Sequence, residues 1–248
     1  MKPSLISCIV PVFNGERYLG EALESILAQS YRPLEVLVAD DGPTDATAAV
    51  AARYGEQVRY LCQPTAGPAA ARNLGLSAAG GEFVAFLDQD DLWHPEKLAR
   101  QMSRFQARPT LDVCVAHVRM FWISELREEA TRYRHHWRAQ AVPGYTTGTL
   151  LARRRLFDTV GRFNPSLWFS DASDWFLRAA ERGAIMDLLP DVLTFHRVHH
   201  DNLSRRLAAA SRAEYVGIVK ASLDRRRRSN RTAPVPYEFP VSNWREKA

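Results

Sequence analysis

Glu82–Lys97, EFVAFLDQDDLWHPEK, is the stretch whose reading decides the fold. Phe83 to Leu87 is an almost wholly apolar run, which predicts a short strand buried on both faces. It stops at Asp88-Gln89-Asp90-Asp91, three carboxylates in four residues. Carboxylates this close repel one another unless a cation neutralises them. Placed where a buried strand gives way to a loop, they can converge on a divalent metal. In an open α/β sheet, ligands bind outside the carboxyl ends of the strands. A solvated acidic turn is the plainer reading of an Asp cluster, but the strand before it and the helix start at Pro95 after it point to a site.

Working outward, Leu5 to Val12 reads as a first buried strand ending in Pro11-Val12-Phe13-Asn14-Gly15, with Asn14 as a helix N-cap. Leu19, Leu23, Ile26 and Leu27 follow at helical spacing, in a helix ending near Ser30. Leu34 to Ala39 is a second strand, closed by Asp40-Asp41-Gly42-Pro43-Thr44-Asp45. Pro43 stiffens that turn, and Thr44 caps a helix running to about Tyr54. A short strand at Val58–Leu61 and a helix at Ala69–Ser77, carrying Arg72 and Asn73, lead back to the fourth strand. This alternation predicts a mostly parallel sheet with helices on both faces. Asp-rich turns after the second and fourth strands gather the polar chemistry at one sheet edge. The first strand is not followed by G-x-G-x-x-G, which argues against a dinucleotide-binding site.

Further along, the pattern predicts a helix at Pro95–Gln106 and a strand at Val113–Trp122. Ser124–Gln140 reads as a charged, aromatic insertion over the site. A strand at Thr146–Ala152, a short helix at Arg153–Val160 and a helix at Trp175–Arg182 follow. Ala184–Leu189 and Val192–Val198 are late strands, Leu203 to about Leu223 is a final helix, and the Pro-rich end from Thr232 is a loosely attached tail.

The 248 residues, 46% hydrophobic and 25% charged, form one large domain or a domain with an appendage. No apolar run approaches the roughly 20 residues that span a bilayer, and the N-terminal apolar run is too short for a signal peptide. Cys8, Cys62 and Cys114 are odd in number and embedded in apolar segments, as expected of buried free thiols in a reducing compartment, so a cytoplasmic location is expected. The net charge of +5 is concentrated in Arg132–Arg138, Arg153–Arg155 and Arg225–Arg228. Such clusters can attract phosphates, nucleic acid or, by peripheral contact, an anionic membrane face, although Arg225–Arg228 reads first as a solvated surface. There is no nucleic-acid-binding signature, and no nucleic acid is expected as a partner.

Taken together, PVFNGERYLGEALESILAQSYRPLEVLVADDGPTD, AGPAAARNLGL and GEFVAFLDQDDLWHPEKL resemble the family 2 glycosyltransferases of the GT-A fold. The resemblance is close over about residues 5–105 and continues more loosely, through VGRFNPSL, SDWFLRAAERG and HRVHHDNLS, to about residue 204. It implies a GT-A domain over residues 1–204, with a nucleotide-sugar half (1–105) and an acceptor half (106–204), then a helix and basic tail (205–248). It also implies an inverting enzyme that takes a UDP- or dTDP-sugar, with Mn2+ or Mg2+, to a glycan, lipid, small-molecule or peptide acceptor.

Residue by residue, the resemblance puts Pro11 and Phe13 in the base pocket and Asp41 on the imide N–H of uracil or thymine. It sets Arg72 against the diphosphate. Asp88 and Asp90 form its D-x-D motif, Asp88 for the ribose and Asp90 for the metal, while Asp91 caps the next helix. His199 is a further metal or diphosphate contact, better suited to Mn2+ than to Mg2+. Inversion needs a general base. Counted back from Arg178, the family's Glu-Asp pair falls on Asp171 and Ala172, with Asp174 as the later Asp. Asp171 is the preferred base and Asp174 the alternative. Ala172 leaves open a non-catalytic nucleotide-sugar or glycan-binding module, and a sugar nucleotidyltransferase is a further alternative.

Overall fold

The computed structural model describes residues 3–42, 44–136 and 139–228. Pro43 and the segment from Thr232 lie outside the described residues. The first half of the chain builds β1 (Ile6–Val12), α1 (Leu19–Leu27), β2 (Leu34–Asp40), α2 (Thr47–Ala52), β3 (Val58–Cys62), α3 (Pro68–Ala78), β4 (Phe83–Phe86), β5 (Leu92–Trp93) and α4 (Lys97–Ala107). The second half adds β6 (Val113–Trp122), α5 (Arg127–Arg132), β7 (Val142–Pro143), β8 (Leu151–Arg153), α6 (Leu156–Val160), α7 (Asp171–Glu181), β9 (Met186–Val198), α8 (Leu203–Arg206) and α9 (Ala208–Arg228).

One sheet runs in the order β3-β2-β1-β4-β8-β6-β9-β5, with β7 on β6. Its first four strands are parallel. β8 pairs antiparallel with both β4 and β6, stitching that half to the parallel β6–β9 pair. Helices cover both faces, so successive residues of a central strand enter different cores. Ile6, Cys8, Val10 and Val12 of β1 face a core shared with α1 and α4. Ile9 faces the other core, with Phe86, Phe157, Phe163 and Trp175. Trp175 is fully buried, stacks on Phe157 at 4.5 Å and donates its indole N–H to the Gly161 carbonyl at 3.1 Å. α3 lies close on β1 because Gly75 has no side chain: a Cβ there would sit 2.3 Å from Ile9 Cγ2.

Several boundaries differ from the sequence reading, each for a local reason. Asn14 is not an N-cap: it has a φ of 50°, whereas an N-cap needs extended backbone. Its Oδ1 instead accepts the Thr44 amide at 2.9 Å, which ties the loops after β1 and β2 together. Thr44 therefore caps nothing; α2 begins at Thr47, whose amide donates to Asp45 Oδ1 at 2.9 Å. α4 begins two residues after Pro95, at Lys97. Thr147–Thr149 is a 3-10 turn, leaving only Leu151–Arg153 as strand. The two late strands are one, β9, whose irregularity falls opposite Ala116–Val118. Cys8 and Cys114 are buried as expected, but Cys62, at the end of edge strand β3, is exposed. Among the described residues no helix is long and apolar enough to cross a membrane.

Candidate functional site

The site lies where β1, β2, β4 and β9 run out. The loop after β4 is shaped by side chains that turn back onto the backbone. Gln89 Oε1 accepts the Phe13 amide at 2.8 Å and its Nε2 donates to the Phe13 carbonyl at 3.1 Å, so the Asp-rich loop is sewn to the end of β1. Pro11 is buried within β1, while Phe13 is 49% exposed at the rim.

The two adjacent carboxylates at the end of β2 have different partners. Asp40 is wholly buried and accepts the Tyr60 hydroxyl at 2.8 Å. Burial raises its pKa above the ordinary carboxylate value, although the Tyr60 bond opposes this. Asp41 organises the loop before α3. Its Oδ1 accepts Gln63 Nε2 at 2.7 Å and the Ala66 amide at 2.9 Å, and its Oδ2 accepts the Gly67 amide at 2.7 Å. A carboxylate offers about four acceptor positions, so one on Oδ2 remains for a further donor. Gly67, with a φ of 95°, is where the chain turns into α3, and Pro68 follows at the first helical position.

Arg72, one turn into α3, is 7% exposed and lies between two carboxylates. Its Nη2 donates to Asp88 Oδ1 at 2.8 Å and its Nη1 to Asp171 Oδ2 at 2.6 Å. Burial alone would lower its pKa, but the charges of Asp171 and Asp88 raise it, and the guanidinium stays charged. Asp171 is the first residue of α7, where the helix dipole favours a negative charge. Asp174, one turn on, faces elsewhere: its Oδ2 accepts Arg178 Nε at 2.8 Å, and Arg178 in turn donates to the carbonyls of Val160 and Arg162. Asp171 is thus joined to the Asp-rich loop and Asp174 is not.

Asp90 meets the chain that follows β9. Its Oδ2 lies 2.8 Å from His199 Nε2 and 3.3 Å from Asn202 Nδ2. Burial would push its carboxyl up, but the His199 hydrogen bond and the charge of the nearby histidines prevail, and its pKa lies below the ordinary value. The Asp201 amide donates to His199 Nδ1 at 3.3 Å, so in the neutral ring the proton sits on Nε2 and points at Asp90. The imidazole packs on the Tyr18 ring at 4.9 Å.

Asp91 is not a helix cap. It is buried, its Oδ1 accepts the Arg197 amide at 3.0 Å, and it pairs with His196 Nδ1 at 2.9 Å. Burial pushes its carboxyl up to about 6, while the Asp91 charge raises His196 to about 9. Near neutral pH the two form a charged pair locking the loop onto β9.

The Asp90–His199 pair could hold a divalent cation once His199 moves its proton to Nδ1, giving up the Nε2 bond to Asp90 and the bond from the Asp201 amide, because a ligating nitrogen must be unprotonated. Cis ligands held at about 2.1 Å from an octahedral ion are about 3 Å apart, close to the observed 2.8 Å. Among the described residues no cluster of three or more His, Cys, Asp or Glu side chains is arranged for a metal. A cation here would take most of its ligands from water and phosphate oxygens, as Mg2+ does at phosphate sites.

Sequence reasoning missed Gln89, His196 and Asn202 as structural partners of the site. Gln89 was legible only as the middle of an Asp cluster, and Asn202 only as part of a polar loop.

The sequence profile described as glycosyl transferase family 2 matches residues 7–163. The span includes Asp41, Arg72, Asp88 and Asp90 and stops short of α7 and β9. An uncharacterised glycosyltransferase of Rickettsia typhi is 37% identical over 111 residues, 45% of this chain and 35% of that protein. The glycosyltransferase GlyA of Streptococcus pneumoniae is 38% identical over 127 residues, 48% of this chain and 18% of that protein. The chain thus spans well under half the length of these curated relatives. Among solved structures, S. aureus TarS residues 1–349 with UDP-GlcNAc superposes with a TM-score of 0.66 at 24% identity, covering 79% of this chain and 59% of that one. The mannosyltransferase PcManGT of Pyrobaculum calidifontis, with GDP-Man and Mn2+, gives 0.62 at 24%, covering 82% and 59%. These likenesses establish the fold as that of the GT-A glycosyltransferases. With the profile covering more than half of the chain, it belongs to glycosyl transferase family 2.

Proposed function

We propose that this chain is an inverting, metal-dependent glycosyltransferase that moves a sugar from a nucleoside-diphosphate donor to an acceptor hydroxyl. One observation carries the reading: a single guanidinium, Arg72, binds both Asp88 of the Asp-rich loop and Asp171 of α7. That links the donor-binding loop to the general-base candidate. The S. aureus and Pyrobaculum structures, solved with UDP-GlcNAc and with GDP-Man and Mn2+, support a nucleotide-sugar donor.

In this reading Pro11, Phe13 and Asp41 form the base pocket, with the free acceptor position on Asp41 Oδ2 taking the imide N–H of a uracil or thymine. Asp88 holds the ribose. Asp90 and His199 would hold Mn2+ or Mg2+, which supplies positive charge to the departing diphosphate. Arg72 keeps Asp88 and Asp171 in register and places a buried cation beside the same diphosphate. Asp171 takes the proton from the acceptor hydroxyl as its oxygen bonds to the anomeric carbon. The bond from that carbon to the diphosphate breaks on the opposite face, and its electron pair leaves with the diphosphate. Asp174 holds Arg178 and the turn before α7 rather than touching substrate. The acceptor is a glycan, lipid, small molecule or peptide, met by the 106–204 half in a cytoplasmic setting or at an anionic membrane face reached by the basic clusters.

Calorimetric titration of UDP, dTDP, GDP and ADP, with and without Mn2+, tests the donor site. Metal-dependent binding of one nucleotide, lost in Asp90→Ala, is expected. Absence of binding by every nucleotide in the presence of Mn2+ sinks the reading.

A further inference from the structure

The turn that delivers Asp171 is held from outside the site, by a residue with no local signal in the sequence. The amides of Trp168, Phe169 and Ser170, three in succession, converge on the carboxylate of Glu214 at 2.9, 2.8 and 2.6 Å. Glu214 belongs to α9, 44 residues beyond Ser170. Ser170 is the N-cap of α7, yet its side chain makes no capping bond. Backbone donors at a helix entry need partners, and consecutive N–H groups of this kind form a concave anion seat. Here the anion comes from α9, and Asp171 is the very next residue.

The same turn carries a second wall of the site. Trp168 is 46% exposed, and its indole lies against Gly67: a methyl group on Gly67 would be 3.4 Å from Trp168 Cε2. Gly67 in turn donates its amide to Asp41. One carboxylate on α9 therefore holds Asp171 on the Arg72 side and Trp168 on the Asp41 side. α9 is anchored to α7 separately, one helical end away, where Ser222 Oγ and Arg225 Nε bind Glu181 at 2.5 and 2.6 Å.

We propose that Glu214 is a positioning residue for glycosyl transfer: its carboxylate clamps the 168–170 turn and so sets both Asp171 and Trp168 against the donor site. The proposal rests on the functional reading above. It also assigns α9 a part in the reaction, although the helix lies outside the span matched by the family profile.

The test compares wild type with Glu214→Ala, Glu214→Gln and Ser222→Ala in the full chain. Turnover is read as UDP or GDP release from UDP-N-acetylglucosamine or GDP-mannose with Mn2+, and amide hydrogen exchange is followed over residues 164–174. In Glu214→Ala, kcat should fall roughly tenfold to a hundredfold, the scale on which small misplacements act. KM and Mn2+-dependent nucleotide affinity should change less than kcat, because the Trp168 indole is only one wall of the donor site while Asp41, Asp88 and Asp90 stay in place. Exchange at the three amides should quicken. Glu214→Gln, which keeps an acceptor oxygen without the charge, should recover part of both effects. Ser222→Ala, which loosens α9 at its other anchor, should lower the melting temperature without lowering kcat.

Unchanged exchange and kcat in Glu214→Ala overturn the proposal. So does an equal loss of kcat in Ser222→Ala at matched stability, because α9 would then act only through overall stability. If wild type releases no nucleotide from either donor, the reading of the reaction falls instead. The exchange comparison then still decides whether Glu214 clamps the turn.

Discussion

Lys97 offers a stability prediction with a defined sign. Its ammonium is fully buried at the start of α4, donates to Gln101 Oε1 at 2.9 Å and lies 4.2 Å from the centre of the Trp93 ring. Among the described residues no carboxylate pairs with it. Burial therefore lowers its pKa from 10.5 to about 7. Below about pH 7 the folded and unfolded chains both carry the proton, and stability does not respond to this group. Between about 7 and 10.5 the unfolded chain keeps the proton and the folded chain has lost it, so stability rises with pH. The drop corresponds to about 5 kcal/mol over the whole window, at ~1.4 kcal/mol per pH unit. From pH 7 to 8.5 alone it amounts to about 2 kcal/mol. Lys97→Met keeps the volume and removes the titration. Urea unfolding of both proteins at pH 6, 6.5, 7 and 8.5 should show wild type gaining about 2 kcal/mol on the variant between pH 7 and 8.5 and almost nothing between 6 and 6.5. The buried Cys8 and Cys114 thiols, each pushed up to about 12 by burial, are common to both and drop out of the difference. Parallel stability curves would refute the reasoning.

Four further outcomes are expected. Asp171→Asn should lower donor turnover by about 10²–10⁴-fold, the usual contribution of a general base, with nucleotide affinity little changed in calorimetry. Asp174→Asn, which frees Arg178, should show mainly as a lowered melting temperature. Trp175→Ala should cost about 3–5 kcal/mol for the cavity it leaves, read as a fall in the urea midpoint. Gly67→Ala places a side chain at a φ of 95° against Trp168; it should weaken UDP or GDP binding in calorimetry by disturbing the loop on Asp41, and an unchanged affinity would separate that loop from the base pocket.

The sequence by itself determined the sheet half that carries the site. Buried strands announce themselves by local apolar runs, and β1, β2, β3 and β4 fall within a residue or so of where those runs stand. It also determined that carboxylates gather at one sheet edge, because parallel strands of alternating α/β units must all end there. Boundaries set by side-chain capping were less legible: Asn14 and Thr44 carry the right chemistry for caps, but they found each other across the two loops.

Only the tertiary structure decided which partner each carboxylate meets. Asp91 looked like a helix cap and is paired with His196. Asp171 and Asp174 sit one turn apart on the same helix, and their roles split because one meets Arg72 and the other Arg178. The deciding partners are far away in the chain: Arg72 is 99 residues from Asp171, and Asp90 is 109 from His199. A hydrogen bond depends on a few tenths of an ångström and on direction. Composition and spacing set which groups are available, but only packing of the helices on the sheet sets which of them come within that range.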